Sequence, residues 1–142
     1  MKKLTTLFLS LVALASVVSC NSDDDDNNGS STSASIEGKW EIIQEGVTLS
    51  TLETIENEGN CGATTVEYIK GGNFVVKGFD YEASICDPFT DGGTWIKSGN
   101  TFTEKYSDND TYVYEIIELT ETSLKLKETD EEGTWYSVFK RK

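Results

Sequence analysis

Short runs in which apolar and polar residues alternate constrain the fold of this chain more than any other feature of its sequence. Near the C-terminus, Leu124 and Leu126 alternate with Lys125 and Lys127. A period of two residues is the pattern of a β-strand that buries one face and exposes the other. Comparable runs recur from residue 36 to the end, and we therefore expect an all-β domain over residues 36–142.

Clusters of turn-forming residues end these runs at regular intervals. They are Gly71-Gly72-Asn73, Asp91-Gly92-Gly93, Ser98-Gly99-Asn100, Ser107-Asp108-Asn109-Asp110 and Asp130-Glu131-Glu132-Gly133. Such spacing predicts an antiparallel meander of about eight strands. Eight antiparallel strands close naturally into an up-and-down barrel, because closure leaves no unpaired edge. Residues 47–57 do not alternate, and either a short helix or a long loop could follow the first strand there. We expect a loop with one helical turn.

The apolar faces of these runs would meet in one barrel interior. Such an interior is either filled by side chains or just large enough for one small ligand. Lysine and glutamate fall mostly on the opposite faces, which argues against a charged ligand deep inside. The residues expected to line the interior, and to contact any ligand there, are Trp40, Phe74, Phe102, Leu126, Trp135 and Phe139.

Each of the three tryptophans, Trp40, Trp95 and Trp135, stands two residues after a glycine. A glycine lets a large neighbouring ring cross the strand closely. Two interpretations follow from this motif: the rings only fill the core, or some of them line a ligand cavity.

The balance of charged residues limits the partners of this chain. Its 12 lysines and arginines are outnumbered by 25 aspartates and glutamates, for a net charge of −13. Phosphates require a basic surface, so nucleic acid is excluded as a partner. Cationic molecules, including cationic proteins, would be attracted, although only through a screened, long-range effect.

The sequence also lacks the usual signs of catalysis. It contains no histidine, which removes the commonest general base and the commonest transition-metal ligand. No Gly-x-Ser-x-Gly, phosphate-binding loop or Cys/His metal spacing occurs. Acidic pairs such as Glu131-Glu132 fall in polar turns, where we expect them to be solvated. We therefore expect no enzyme activity, no catalytic residue, no metal and no cofactor.

The N-terminus has the features of an exported lipoprotein, in the usual order. Lys2 and Lys3 precede an apolar segment that is too short to span a bilayer. This segment ends in Val17-Val18-Ser19-Cys20, which resembles the lipobox of bacterial lipoproteins. The resemblance implies that residues 1–19 are a signal peptide and that Cys20 carries a lipid that anchors the chain to a membrane. Removing Lys2 and Lys3 would change the net charge from −13 to −15. An ordinary secretory signal with a chance cysteine is the alternative.

Residues 20–35 are expected to form a lipidated, disordered tether, because nearly all of them are small or polar. The run Asp23-Asp24-Asp25-Asp26 resembles the acidic export signal that follows the lipidated cysteine in surface-exposed lipoproteins of the Bacteroidetes. That resemblance implies an outer-membrane lipoprotein on the cell surface. A plain solvated tether, with the protein on the periplasmic face, is the alternative.

The three cysteines divide into one lipid attachment site and one pair. Lipidation of Cys20 leaves Cys61 and Cys86, and an even pair in an oxidising compartment indicates a disulfide. Closing a loop of about 25 residues would stabilise the fold by roughly 3 kcal/mol. Two free thiols are the alternative.

Several short motifs follow one another in a fixed order along residues 36–142. They are Gly38-Lys39-Trp40, Cys61, Cys86, Gly93-Thr94-Trp95, Ile117-Glu118-Leu119-Thr120 and Ser123-Leu124-Lys125-Leu126. This order is similar to that of the lipocalin-like lipoprotein domains of Bacteroidetes, which implies an eight-stranded lipocalin-like barrel with no settled ligand. Lipocalins pair the first-strand Gly-x-Trp with an arginine on the last strand, and Arg141 is the only arginine here. We expect Arg141 to close one end of the barrel by stacking on Trp40.

These observations favour a membrane-anchored binding module whose barrel holds a small apolar or amphipathic molecule. Two alternatives stay open. One is an acidic module that binds or inhibits a cationic protein, such as a cationic hydrolase, and the other is a structural envelope lipoprotein with a filled barrel. A void in the barrel would favour the binding module for a small molecule. An exposed apolar patch ringed by acids would favour the module that binds a cationic protein. The sequence does not indicate an oligomeric state.

Overall fold

A computed structural model describes residues 34–142 of this protein. The signal peptide predicted at residues 1–19, the lipidation site Cys20, the acidic run at residues 23–26 and nearly all of the tether lie outside the described residues. Within the part of the chain that the structure describes, no helix is long and apolar enough to cross a membrane.

β-Strands make up nearly all of the regular structure. They are β1 (Gly38–Gly46), β2 (Glu53–Thr54), β3 (Thr65–Ile69), β4 (Asn73–Glu82), β5 (Ile85–Ser98), β6 (Thr101–Tyr106), β7 (Thr111–Leu119), β8 (Ser123–Thr129) and β9 (Thr134–Arg141). The one helical element of residues 34–142 is a 3-10 turn at Glu58–Asn60. Alternation in the sequence favours strands, because it gives each of them one face to bury.

Eight of the strands form one closed antiparallel barrel. Neighbours in sequence pair from β3 to β9, β1 pairs with β3, and β1 also pairs with β9. The last pairing sets Trp40 opposite Arg141 and Ile42 opposite Phe139. The short strand β2 pairs with the end of β1 that β3 leaves free. The prediction of an all-β, up-and-down barrel of about eight antiparallel strands is confirmed.

One predicted turn is instead the middle of a strand. Asp91-Gly92-Gly93 lies within the 14 residues of β5. The chain reverses earlier, at Ala83 and Ser84, where the φ angles are 50° and 65°. A Cβ on Gly93 would lie 2.0 Å from the carbonyl oxygen of Lys105. This glycine therefore permits the close approach of two strands and does not form a turn.

Residues 47–57 also differ from the expected loop with one helical turn. They form bends and a turn that lead into β2, where Glu53 and Thr54 pair with Glu45 and Gln44 of β1. The 3-10 turn comes after this segment, at Glu58–Asn60. Pairing with the free end of β1 satisfies backbone groups that a helical turn would leave without partners.

Cys61 and Cys86 form the predicted disulfide, with their Cα atoms 5.7 Å apart. The bond ties the segment between β2 and β3 to β5. Close packing supports the same contact, since a Cβ on Gly62 would lie 2.6 Å from the ring of Phe79 on β4. The segment is therefore held against the hairpin of β4 and β5 both covalently and by packing.

The hydrophobic core lies toward one end of the barrel, which we call the closed end. The turns at this end connect β3 to β4, β5 to β6 and β7 to β8. Because strands in an up-and-down barrel alternate in direction, the turns that connect β6 to β7 and β8 to β9 lie at the other end. Arg141 belongs to the closed end together with the largest fully buried side chains, which are Trp40, Phe74, Phe102 and Leu124.

Candidate ligand-binding site

Arg141 covers the closed end of the barrel. Its guanidinium carbon lies 4.1 Å from the centroid of the Trp40 ring, an arrangement that combines stacking with cation–π attraction. Its nitrogens donate hydrogen bonds to the carbonyl oxygens of Ser35, Glu37 and Glu121, at 2.5, 2.8 and 2.8 Å. The described chain therefore enters the barrel beside this end.

Gly38 makes room for that arginine. Its φ angle is +121°, which residues with side chains rarely adopt, and a Cβ there would lie 2.5 Å from Nη1 of Arg141. The indole nitrogen of Trp40 donates a hydrogen bond of 2.7 Å to the carbonyl oxygen of Ile36. The Gly-x-Trp motif and the last-strand arginine thus form one plug at the closed end.

Aromatic rings fill the space next to this plug. The ring centroid of Tyr68 lies 5.0 Å from that of Phe102, 5.9 Å from that of Trp95 and 6.2 Å from that of Phe74. Tilted and edge-to-face contacts of this kind attract beyond the area that they bury. The closed half of the barrel interior is therefore occupied by side chains.

A cavity of about 200 Å³ lies inside the other half of the barrel. Every strand of the barrel except β5 contributes to its wall, which combines apolar groups with hydroxyls and one carboxyl group. No lysine or arginine lines it. The apolar part of the wall is formed by Ile42, Val66, Val76, Leu126 and Phe139.

Glu104 supplies the carboxyl group in this wall. The residue is only 4% exposed, and the hydroxyl of Tyr68 donates a hydrogen bond of 2.5 Å to its Oε1 atom. Because β3 and β6 are not neighbours in the sheet, this bond crosses the barrel interior. Burial raises the pKa of Glu104, while hydrogen bonds from Tyr68, Tyr106 and Tyr114 offset part of the rise by stabilising the ionised form.

Four of the six tyrosines of the chain surround this carboxyl group. Tyr68, Tyr106 and Tyr114 line the cavity, and Tyr112 stands directly opposite Glu104 in the pairing of β6 with β7. Burial, followed by the charge of Glu104, raises the pKa of Tyr68, Tyr106 and Tyr114. Their hydroxyls therefore keep their protons at neutral pH and can donate hydrogen bonds.

The other end of the barrel is acidic, and we call it the mouth. Trp135 is 42% exposed there and, with Val47, lines two depressions in the surface. No group of three or more acidic, histidine or cysteine side chains among residues 34–142 is arranged to hold a metal ion. The acidic residues that ring Trp135 and Val47 are Glu45, Glu53, Glu56, Glu128, Asp130 and Glu132.

The six residues predicted to line the interior occupy three different places. Leu126 and Phe139 line the cavity, whereas Trp135 stands at the mouth. The other three are buried in the closed end: Trp40, Phe74 and Phe102. No tryptophan lines the cavity itself, so core packing accounts for Trp40.

Glu104 is an exception to the pattern that lysines and glutamates lie mostly on the outer faces of the strands. The pattern of apolar residues also fails to single out Tyr68, Tyr106 and Tyr114, because it selects the most hydrophobic side chains. The sequence did contain a signal, since Glu104 stands between Phe102 and Tyr106 on the same face of β6. A carboxyl group on an otherwise aromatic face is a candidate functional group.

Comparisons with known proteins agree with this architecture. A family model described as a lipocalin-like domain matches residues 36–126, more than half of the chain. The chain is similar to the structure of a lipocalin-like protein from Bacteroides uniformis, with a TM-score of 0.56 and 20% identity over 75% of this chain and 97% of that one. It is also similar to an uncharacterized protein from Bacteroides eggerthii, with a TM-score of 0.54 and 14% identity over 75% and 98% of the two chains. At these identities the structures support the fold alone. No curated protein matches the chain significantly in sequence.

Proposed function

Because the chain belongs to the family of lipocalin-like domains, we propose that it is a binding protein whose barrel holds one small apolar or amphipathic molecule. The observation that carries this proposal is the interior cavity of about 200 Å³. The lipocalin-like fold is typically a binding fold, and the mouth of a β-barrel is a frequent position for a ligand site. The plug of Arg141 and Trp40 closes one end, so the ligand enters through the mouth.

The volume of the cavity limits the size of the ligand. An apolar cavity of about 150 Å³ is large enough to bind benzene. A cavity of about 200 Å³ therefore suits a molecule with one ring or a short chain. The rings of the closed end prevent a longer ligand from extending further inward.

The proposed location is the cell surface, where the lipid on Cys20 anchors the chain to the outer membrane. The lipobox and the acidic run at residues 23–26 support this location, and a disulfide is typical of exported proteins. The described chain enters the barrel beside Arg141. A tether that ends at residue 35 would therefore join the barrel at its closed end.

Calorimetric titration of the full chain with toluene and 2-phenylethanol tests the binding function. Both probes have one ring, and we expect saturable binding at one site per chain. Ser137→Phe should abolish it, because Ser137 lines the cavity and an added ring would occupy that space. Thr103→Phe is the matched control, since it adds the same ring to the outer face of β6. Absence of saturable binding, or equal binding by Ser137→Phe, would contradict the proposal.

A second candidate function is supported by the mouth. Trp135 and Val47 form an exposed apolar patch that acidic side chains surround. Such a surface is complementary to a cationic protein, and tryptophan is often the main energetic contact in an interface. A protein bound there would also cover the entrance to the cavity.

Binding of lysozyme, as a cationic protein probe, tests this second function. Trp135→Ala should weaken lysozyme binding by about tenfold or more, as the loss of a central interface tryptophan does. Toluene binding should not change, because Trp135 does not line the cavity. Lysozyme affinity that depends on net charge alone, and not on Trp135, would exclude this function.

A further inference from the structure

A purely apolar ligand does not account for the buried carboxyl group of Glu104. An ionised carboxylate that faces apolar atoms has lost water without gaining a partner of opposite charge. The hydroxyl of Tyr68 satisfies its Oε1 atom, but a hydroxyl carries no positive charge. Among the ion pairs of residues 34–142, none includes Glu104.

No basic side chain of residues 34–142 lines the cavity or forms an ion pair with this carboxyl group. Arg141 belongs to the plug at the closed end, and no lysine or arginine lines the cavity. The lysines that form ion pairs do so with glutamates on the outer faces of the strands: Lys125, Lys127, Lys140 and Lys142. A cation that pairs with Glu104 must therefore arrive with the ligand.

We propose that the ligand is a small amine whose ammonium group pairs with Glu104 among the tyrosine hydroxyls of the cavity wall. This inference rests on the proposed function and names the chemical class of its ligand. A one-ring aromatic amine suits the volume of about 200 Å³ and can place its ring against Val76, Leu126 and Phe139. Hydrogen bonds between charged groups are roughly twice as strong as neutral ones, and aromatic rings attract a cation.

The mouth favours the same class of ligand. Glu128 pairs with Tyr114 on one side and with Trp135 on the other, so it stands between the cavity and the mouth. The remaining acidic side chains of the mouth extend this negative potential outward. A field of one sign raises the local concentration of ions of the opposite sign. An anionic ligand would be repelled at the mouth and again at Glu104.

A neutral alcohol is the main rival, because its hydroxyl can also donate a hydrogen bond to Glu104. It would leave the carboxylate without a counter-charge in a poorly solvated site. An ammonium group supplies both the donor and the charge. The amine should therefore bind about tenfold or more tightly than the alcohol of the same shape.

Calorimetric titration of the full chain with 2-phenylethylamine, 2-phenylethanol and 3-phenylpropanoate separates these classes. The amine should bind about tenfold or more tightly than the alcohol, and the carboxylate should not bind. Glu104→Gln should remove the advantage of the amine while leaving the affinity of the alcohol nearly unchanged. Glu115→Gln is the matched control, because it removes an exposed carboxylate from the outer face of β7.

The outcomes separate this inference from the proposed function. If the alcohol or toluene binds but the amine has no advantage, or if Glu104→Gln keeps that advantage, the inference is wrong and the proposed function stands. If none of the probes saturates, the proposed function fails and the inference fails with it. Near-ultraviolet circular dichroism checks that Glu104→Gln is folded.

The pH dependence of amine binding to the unmodified chain provides a test that needs no variant at Glu104. Amine affinity should fall as the pH is lowered and Glu104 takes up a proton, whereas alcohol affinity should stay constant. The tyrosines that face Glu104 stay protonated throughout, and Glu128→Gln reports on the carboxyl group that stands between the cavity and the mouth. An amine affinity that does not change with pH would overturn the inference. The groups that face Glu104 are Tyr68, Tyr106, Tyr112, Tyr114 and Glu128.

Discussion

The hydroxyl of Tyr68 on β3 donates a hydrogen bond of 2.5 Å to Oε1 of Glu104 on β6, across the interior of the barrel. The two strands are separated by β4 and β5, so the bond joins walls that share no backbone pairing. It holds the carboxyl group in one orientation before any ligand arrives. Fixed polar groups of this kind are what a specific binding site requires.

Replacing this carboxyl group should change how stability depends on pH. Burial raises the pKa of Glu104, so above the unfolded pKa the native state holds more protons than the unfolded state. The free energy of unfolding should therefore fall as the pH rises through this window, by at most about 1.4 kcal/mol per pH unit for one proton. Glu104→Gln should flatten that slope and raise stability at neutral pH.

Urea denaturation between about pH 5 and pH 8 measures this slope. Some slope should persist in Glu104→Gln, because burial also raises the pKa of Glu128. The matched control is Glu115→Gln, whose carboxylate forms an exposed pair with Lys127 and should contribute little. A slope as steep in Glu104→Gln as in the parent chain would contradict the assignment.

The plug at the closed end should depend on the shape of Arg141 as well as on its charge. Arg141→Met removes three hydrogen bonds to carbonyl oxygens and the contact with Trp40, and should lower the free energy of unfolding by about 2 kcal/mol. Arg141→Lys should recover only a small part of this loss, because an ammonium group cannot stack or reach several carbonyls in one plane. Full recovery by lysine in guanidinium denaturation would show that charge alone matters.

The disulfide should contribute a measurable part of the stability. Cys61 and Cys86 are separated by 25 positions, and opening a loop of that length should cost about 3 kcal/mol. The double variant Cys61→Ser, Cys86→Ser is expected to unfold at a lower temperature than the parent chain. Toluene binding below that temperature should persist, since neither cysteine lines the cavity. An unchanged melting temperature would be the opposite result.

Lipidation should depend on Cys20, which follows an apolar segment with a basic start. Cys20→Ala is expected to give an uncleaved or unanchored protein that takes up no labelled fatty acid, because the thiol is the acceptor of the lipid. Two or more acyl chains make a stable anchor, so membrane fractionation should show the same difference. Label on the Cys20→Ala protein would rule out this attachment site.

Surface display should depend on the acidic run at residues 23–26. Replacing these four aspartates by alanine is expected to keep the protein on the periplasmic face while leaving its lipid in place. Protease treatment of intact cells distinguishes the two locations. Four asparagines replacing the same residues provide a control that keeps size and polarity. Equal protease access for all three proteins would mean that the run is only a tether.

The architecture of the barrel could be predicted because it depends on a pattern that is local in sequence. Leu124 and Leu126 alternate with lysines, and this alternation predicts which face of each strand is buried. The same reasoning failed at Gly92 and Gly93, because two glycines in sequence favour a turn and a close strand crossing equally. Only the structure shows which of the two occurs, because a Cβ added at Gly93 would clash with the backbone of Lys105.

The candidate site was harder to predict because it depends on contacts between distant strands. Hydrophobicity selected Phe74 and Phe102, which fill the closed end, since the bulkiest rings leave the least space around them. The cavity formed instead around residues of mixed character, among them Glu104 and Ser137. Their roles depend on the closure of the barrel, which brings β3, β6 and β9 around one cavity. No pattern that is local in the sequence indicates which residues of these strands lie next to one another.

The plug of Arg141 over Trp40 has a kinetic consequence for the proposed binding function. Because one end is closed, a ligand enters and leaves the cavity through the same mouth. A bound ligand therefore blocks the path of the next one. Exchange must then be dissociative, so the rate at which a bound amine is released should not depend on the concentration of a competitor. Residence time would be governed by the bends that follow β1 and by Trp135 at the mouth.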